Sequence, residues 1–450
     1  MLHRTDPGSD TFTALMDLLR IAGPRPLNGI VSISGSKNAA LPVMAAVLLT
    51  DQPLELRNVP DIEDIEAMAA MLRHLGVDVE RLSSSSWRLH AAAVSPAEVG
   101  AELTRRMRGS FLLLGALIAR TGEAAIAKPG GDDIGMRRVE QHLEGLRLMG
   151  AAVEEGADVY TAHARRLHGA RIDLDMPTVT GTENLIMAAV LADGITVIAN
   201  AAREPHVFDL VRCLVGMGAH ITGAGTELIV IEGQLGLLHG TTHSVTTDYI
   251  EAGTYMVAAA ATGGDVVVDR MRPTDVRWLI NKLRSAGADV VEGASHVRVR
   301  GAPLHAVDVT TWPHPGFATD LQPQYGALMT QATGTSIISE ALYENRFKHV
   351  AQLLRFGARI TVEGRSAIIE GPVQLRATRA TVPDIRSGAA LVIAALCAHG
   401  TTELDGVYHL DRGYEALEEK LRGLGADVER VSVDEGGEPA PRDLSGVVGD

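Results

Sequence analysis

Cysteine is almost missing from this chain of 450 residues, which holds two, Cys213 and Cys397. Both fall in apolar stretches with helical spacing, so they read as buried filler, and no disulfide framework or thiolate metal site can be built from them. The sixteen histidines do not make up the lack, because no HxxxH or CxxC spacing accompanies them, and no metal is expected. Aromatic residues are 4% of the chain, so the core must be aliphatic. Apolar runs such as FLLLGALIA fall short of the roughly 18–20 residues that span a bilayer. No opening stretch reads as a secretory leader, and a cytoplasmic protein is expected. An excess of positive charge is lacking as well. The formal net charge of −15 argues against a nucleic-acid or anionic-membrane surface. An anionic ligand would need a local basic pocket.

What the chain does have is repetition. With 46% hydrophobic and 22% charged residues it belongs with globular proteins, and its length predicts two or more domains. A helical pattern that ends in glycine and is followed by a strand recurs as LGVDVE, MGAAVEE, MGAHI, AGADVV, FGARI and LGADVE. The glycines are Gly76, Gly150, Gly218, Gly287, Gly357 and Gly425, spaced 74, 68, 69, 70 and 68 residues apart. Each is expected in the left-handed conformation that closes a helix, where a Cβ is penalised. Leu417, Leu421 and Leu424 form one apolar stripe before the last glycine. Val276, Leu279 and Leu283 do the same before Gly287, with Thr274 or Asp275 as candidate N-cap. A second helix in each unit is rich in small residues, as in NAALPVMAAVLL and GAALVIAALCA, and suits burial among other helices. The unit reads as strand–helix–strand–helix–hairpin, six times over. The predicted class is α/β, two inside-out domains of three βαβαββ units each, because a long solenoid would have shorter repeats. Residues 1–20 and 433–450 read as mobile ends outside the repeats.

Nine phrases then fall into one pattern: SGSKNAALP, MRGS, PGGDDIG, TGTENLIMAA, NAAREP, YIEAGTYMVAAA, PHPGFATDLQ, ENRFKHV and YHLDRGYEALEEKL. The chain resembles the UDP-N-acetylglucosamine enolpyruvyl transferases (1-carboxyvinyltransferases) of early peptidoglycan synthesis, from about Leu19 to Val431. The resemblance implies an active site between the domains and a chain that crosses between them near Gly35 and Thr246. The domains would then be 37–245 and 21–36 plus 246–432. The enzyme that loads shikimate phosphate shares the fold, but its acceptor signatures are absent.

The implied reaction joins a sugar hydroxyl to C2 of phosphoenolpyruvate and expels phosphate. It needs an acid for C3, a base for the hydroxyl, and fixed cations for phosphate and carboxylate. No cofactor is implied, and the partners are the two small substrates, not nucleic acid or membrane. Lys37, at a strand-to-helix turn, is either an exposed lysine or a phosphate ligand. The resemblance assigns it, with Arg108, Arg137, Arg346, Arg386 and Arg412, to phosphoenolpyruvate, for which the planar fork of arginine is suited. Asp384 is close by in sequence to Arg386. Asp320 is either a helix cap or, by resemblance, the carboxylate that binds the sugar hydroxyl and takes its proton. Asn38 is a possible N-cap or a contact to the acceptor sugar. Arg108, Arg137, Arg138, Val139, Glu140, Thr180, Gly181 and Leu342 would complete the UDP-sugar side. The stretch Thr178–Asn184 would offer backbone amides to the diphosphate, or Thr180 and Thr182 would cap a helix. Arg138 stands where many relatives have proline, and Glu140 where an Asp is usual.

One departure matters most. After PGG the family commonly has a cysteine, the residue alkylated by fosfomycin; here Asp132 stands there, followed by Asp133. As general acid Asp132 must hold a proton, although a free Asp ionises near about 3.9. Burial, Asp133 and the substrate's charge are expected to raise it, and Arg137 to lower it. The glycines predict a loop that opens and closes over the site. Two other readings stay open: another uridine nucleotide as acceptor, or a silent paralogue that binds UDP-sugar.

Overall fold

The computed structural model describes residues 16–95 and 97–433. The repeat glycines are its punctuation. Helices Glu63–His74, Glu140–Leu148, Pro205–Gly216, Arg277–Ser285, Lys348–Arg355 and Leu417–Gly423 each stop two residues before one of them. All six glycines have positive φ, from 87° to 101°, a region open to glycine at little cost. The chain then reverses into a strand. The two stripes read from sequence are buried. The N-cap reading before Gly287 is corrected: a tight turn, Pro273–Val276, precedes the helix, no side chain caps it, and Asp275 instead accepts from Arg272 Nε at 3.0 Å.

The small-residue helices lie inside. Tyr249–Thr262, Gln322–Met329 and Ile385–Cys397 pack pairwise against one another. In the other half, Leu113–Thr121 packs on Val179–Ala189 and on the turn Ala46–Leu49 that continues Lys37–Ala45. Small side chains let these backbones meet. A Cβ on Gly115 would lie 2.2 Å from the Asn184 carbonyl oxygen, and the Asn184 side chain binds the Gly115 amide and the Phe111 carbonyl.

Six small sheets lie outside the helices among the described residues, five of four strands and one of three. In each four-stranded sheet one outer pairing is parallel and the others are antiparallel; Thr241–Ser244 runs parallel to Leu54–Arg57, which pairs antiparallel with Ser86–His90. Apolar packing falls into two cores, one drawn from residues 39–245 and one from 19–33 and 249–428. We call these the first and second lobes. The chain passes between them twice, side by side, with Gly35 bridged to Thr247 and Ser36 N donating to Thr246 O at 2.8 Å.

The N-terminal extension is shorter than residues 1–20. Strand Met16–Gly23 sits between Gly400–Asp405 and Asp427–Val433, pairing Leu19 with Leu404 and with Arg430. Among the described residues the sixth unit has one strand after its glycine where the others have a hairpin, and Met16–Gly23 takes the place of the second strand. The expected mobile ends otherwise lie outside the described residues. No described helix is long and apolar enough to cross a membrane.

Candidate active site

Lys37 opens its helix because the turn before it is tight: a Cβ on Gly35 would lie 1.7 Å from the Asn58 carbonyl oxygen. The lysine is buried, 8% exposed, so the exposed-lysine reading fails. Its Nζ donates to Asp64 Oδ2 at 3.1 Å, and Asp64 Oδ1 accepts from Arg412 Nε at 3.0 Å. Arg412 then donates through Nη1 to Asp132 Oδ1 at 2.8 Å. The Asp132 carbonyl oxygen accepts from Arg137 Nη2 at 2.6 Å. Charges therefore alternate along Lys37, Asp64, Arg412 and Asp132, ending at Arg137. Arg412 comes from the second lobe and the others from the first, so this row is a seam between lobes.

The row sets the proton affinity of Asp132. Burial pushes its carboxyl up, but Arg412, Lys37 and Arg137 outweigh burial and hold it below the usual carboxylate range. This corrects the expectation of a raised carboxyl in the protein alone. Asp133 gives no help, because it faces the other way: Lys348 Nζ binds its Oδ2 at 2.7 Å and Asn345 Nδ2 reaches it at 3.3 Å. Arg108 begins the turn Arg108–Leu112 against Arg137, with Gly131 wedged beside both. Burial, then the like charge of Arg137, lowers its guanidinium to about 10.

A second cluster adjoins the first. Asp320 lies in the turn Thr319–Leu321 and caps no helix. Its Oδ1 accepts from Arg346 Nη2 at 2.7 Å and its Oδ2 from Arg386 Nε at 3.1 Å. Arg386 is placed by Asp384, which caps helix Ile385–Cys397 through the amides of Arg386 and Ser387 at 3.0 and 2.9 Å. Its guanidinium also lies over the Tyr414 ring, 5.6 Å from the centroid. Burial pushes the Asp320 carboxyl up, yet Arg386, Arg346 and Lys37 together hold it far below the usual range. Bound in this way it is a hydrogen-bond acceptor and a weak base. Its side chain keeps 29% of its surface open, so a ligand can reach it. The charge of Lys37 lowers both Asp132 and Asp320, which couples the two clusters electrostatically.

The acceptor-side residues are less connected. Arg138 and Glu140 are exposed and Val139 is buried at the start of helix Glu140–Leu148. Thr178, not Thr180 or Thr182, caps helix Val179–Ala189, its Oγ1 accepting from Gly181 N at 3.3 Å. The Gly181 amide is therefore taken within the chain, as is that of Thr182 by the Thr178 carbonyl, which corrects the idea that these two amides are open to a diphosphate. Thr182 Oγ1 is buried and accepts from Ala202 N at 3.0 Å, while the Thr180 hydroxyl lies 3.4 Å from His142 Nε2. Leu342 N donates to Glu340 Oε1 at 2.8 Å. Asn38 is half-buried beside Lys37 and is not the cap of that helix.

Sequence reasoning missed Asp64 and Tyr414. In DIEDIEAMAA, Asp64 has the look of a solvated acid in the first turn of a helix; it is 4% exposed and joins two cations. Tyr414 stood within a quoted motif, YHLDRGYEALEEKL, but nothing local marks its hydroxyl as a partner of Arg386, at 3.4 Å.

The family model described as EPSP synthase (3-phosphoshikimate 1-carboxyvinyltransferase) matches residues 21–421. A UDP-N-acetylglucosamine 1-carboxyvinyltransferase of Sorangium cellulosum is 50% identical over 419 residues, 92% of this chain and 99% of that protein. One of the same name from Magnetococcus marinus is 47% identical over 418 residues, 92% of this chain and all of that one. Among solved structures, the enolpyruvyl transferase NikO from Streptomyces tendae superposes with a TM-score of 0.83 at 28% identity, covering 93% of this chain and 100% of its own. An EPSP synthase from Acinetobacter baumannii, at 21% identity and a TM-score of 0.71 over 92% of this chain and 99% of its own, shares the fold. With its six-unit architecture, this chain is an enolpyruvyl (1-carboxyvinyl) transferase and belongs to the family of the UDP-N-acetylglucosamine 1-carboxyvinyltransferases.

Proposed function

We propose that the chain transfers the enolpyruvyl group of phosphoenolpyruvate to the 3-hydroxyl of UDP-N-acetylglucosamine, in the cytoplasm, as the first committed step of peptidoglycan precursor synthesis. The observation that carries this reading is the interlobe row from Lys37 to Arg137. It sets cations from both lobes around a carboxyl on a loop, as addition across an enol phosphate requires. In the first half-reaction the hydroxyl oxygen bonds to C2, its proton passes to a base, and C3 takes a proton from Asp132. In the second the tetrahedral adduct expels phosphate and C3 gives the proton back, which restores the double bond. Lys37, Arg108, Arg137 and Arg412 would hold the phosphate end, and Arg346 and Arg386 the carboxylate. As those two arginines turn to the ligand, Asp320 is released to bind the sugar hydroxyl and act as its base.

Asp132 is a poor acid while Arg412 and Lys37 serve it alone. A bound phosphate draws both cations and adds negative charge, and each change raises the carboxyl toward the neutral range. The acceptor is argued from relatives at 47–50% identity that carry the UDP-N-acetylglucosamine name. Another uridine nucleotide is the second reading, favoured by Pro177, Arg138 and Glu140, which depart from common acceptor-side residues. A silent paralogue would have no use for the whole donor set. Phosphate release from phosphoenolpyruvate, with UDP-N-acetylglucosamine, UMP or shikimate phosphate as acceptor, separates the three. Release with the first alone is expected; equal release with UMP would replace the acceptor, and release with none would leave a binding protein.

A further inference from the structure

The motif ENRFKHV contributes one arginine to the site, and its other side chains are spent elsewhere. Arg346 turns inward to Asp320 at 2.7 Å and is 3% exposed. Glu344, Asn345 and Lys348 turn outward instead and hold the loop that carries Asp132, while Phe347 and Val350 pack on the second core. Glu344 Oε1 accepts from Met136 N at 2.6 Å. Asn345 N donates to Ile134 O at 3.1 Å and its Nδ2 to Asp133 Oδ2 at 3.3 Å. Lys348 Nζ donates to Asp133 Oδ2 at 2.7 Å. The fit is close: Gly135 has φ +127°, and a Cβ there would lie 2.6 Å from Glu344 Oε2. Four residues of the loop, 133–136, are thus gripped by one short segment of the opposite lobe.

We infer that Asp133 and Lys348 form the latch of this loop, and that segment 344–348 couples loop closure to the placement of Arg346. The adjacent carboxyls divide the work. Asp132 faces the seam with Arg412, and Asp133 faces outward and fastens the loop to the second lobe. Because Arg346 follows Asn345 directly, a shift of this segment that frees the loop also moves the guanidinium away from Asp320. Asp133 and Lys348 are therefore positioning residues, acting through the loop and through Arg346. The inference rests on the proposed reaction only for its kinetic consequences.

The loop reports its own opening, because Arg137 and Arg138 are cleavage sites for trypsin. An exposed ion pair of this kind changes an equilibrium by about two- to fivefold. Asp133→Asn and Lys348→Met in the full chain should each speed tryptic cleavage after Arg137 or Arg138 by about that factor, and the double variant no further. Added salt should speed cleavage of the parent more than that of the double variant, whose loop keeps the less exposed Arg412–Asp132 pair across the lobes. In turnover, each variant should raise KM for phosphoenolpyruvate more than it lowers kcat. Unchanged cleavage in both single variants, or additive effects in the double, would remove the latch. A fall in kcat beyond tenfold at unchanged cleavage would give Asp133 a chemical role instead. The cleavage assay needs no substrate, so a failure of the proposed reaction leaves it readable.

Discussion

Replacing Asp132 by Asn tests the chemistry most directly. The amide keeps the size of the side chain and an oxygen that can face Arg412, but it can neither hold nor release the acidic proton. The structural cost is bounded. The hydrogen bond from Arg412, of 2.8 Å, keeps its cationic donor and loses only the charge of its acceptor, and the contact with Asp64 at 3.0 Å is untouched; the whole of such a bond is worth about 1.5–3 kcal/mol, which is the upper bound. The variant should therefore fold and bind UDP-sugar. The chemical cost is larger. Positioned acids and bases contribute about 10²–10⁴ in rate, so kcat should fall by that factor while KM for the acceptor stays within about threefold. The electrostatics predict where the proton comes from. Two unit charges about 5 Å apart interact by about 3 kcal/mol at an effective dielectric constant near 20, and about 1.4 kcal/mol is a tenfold change in proton affinity. One ligand charge at that distance thus raises the proton affinity of Asp132 about a hundredfold. The assay is phosphate release at saturating substrates, with deuterium uptake at the vinyl carbon from D₂O as the readout of proton transfer. The parent should exchange and the Asp132→Asn variant should not. Turnover within tenfold of the parent, or undiminished exchange, would refute Asp132 as the acid.

Asp132→Cys should gain a covalent fosfomycin adduct by intact mass, because Arg412, Lys37 and Arg137 favour a thiolate there. The parent should gain none, since Cys213 is buried and burial pushes the Cys397 thiol up to about 12; an adduct on the parent would overturn this. Asp64→Asn removes the carboxylate that competes with a ligand for Lys37 and Arg412, so inorganic phosphate should bind about tenfold or more tightly by calorimetry while kcat falls. Weaker phosphate binding by the folded variant would refute the shared-cation reading. Glu183 is fully buried with Oε1 unpartnered, and burial, then Glu204, pushes its carboxyl well above the usual range. A raised carboxyl contributes stability below its unfolded value that is lost as pH rises toward the folded one. Glu183→Gln should therefore match the parent near pH 4 and exceed it in thermal stability by a growing margin from about pH 5 to 8. A constant difference would place the cause elsewhere.

The features readable in advance are those whose cause is local. A glycine that closes a helix is needed because of its own φ, so six positions spaced about one unit apart announced themselves. The stripes of Leu417, Leu421 and Leu424 and of Val276, Leu279 and Leu283 follow from the geometry of a single helix. Strand Met16–Gly23 was hidden for the opposite reason: DLLRIAG has no turn signal of its own, and its partners are Leu404 and Arg430 at the other end of the chain. Asp64 was hidden in the same way, since its meaning comes from Arg412, 348 residues later.

The two adjacent aspartates bring both cases together. The position of Asp132 marked it for chemistry, but its proton affinity could not be read from its neighbours in sequence. Asp133 adds no charge repulsion because it faces Lys348, and Arg137 acts together with two cations that lie far away along the chain. Local pattern identifies which groups are unusual. The sign of what they do is set by charges brought in by the fold, Lys37 from far along the same lobe and Arg412 and Lys348 from the other, and those are known only once the seam is formed. In the proposed reaction the same seam gives the acid a condition. Asp132 would donate only when a ligand has drawn Arg412 and Lys37, which would tie protonation of C3 to an occupied and latched site, because without a ligand those cations hold the carboxyl low.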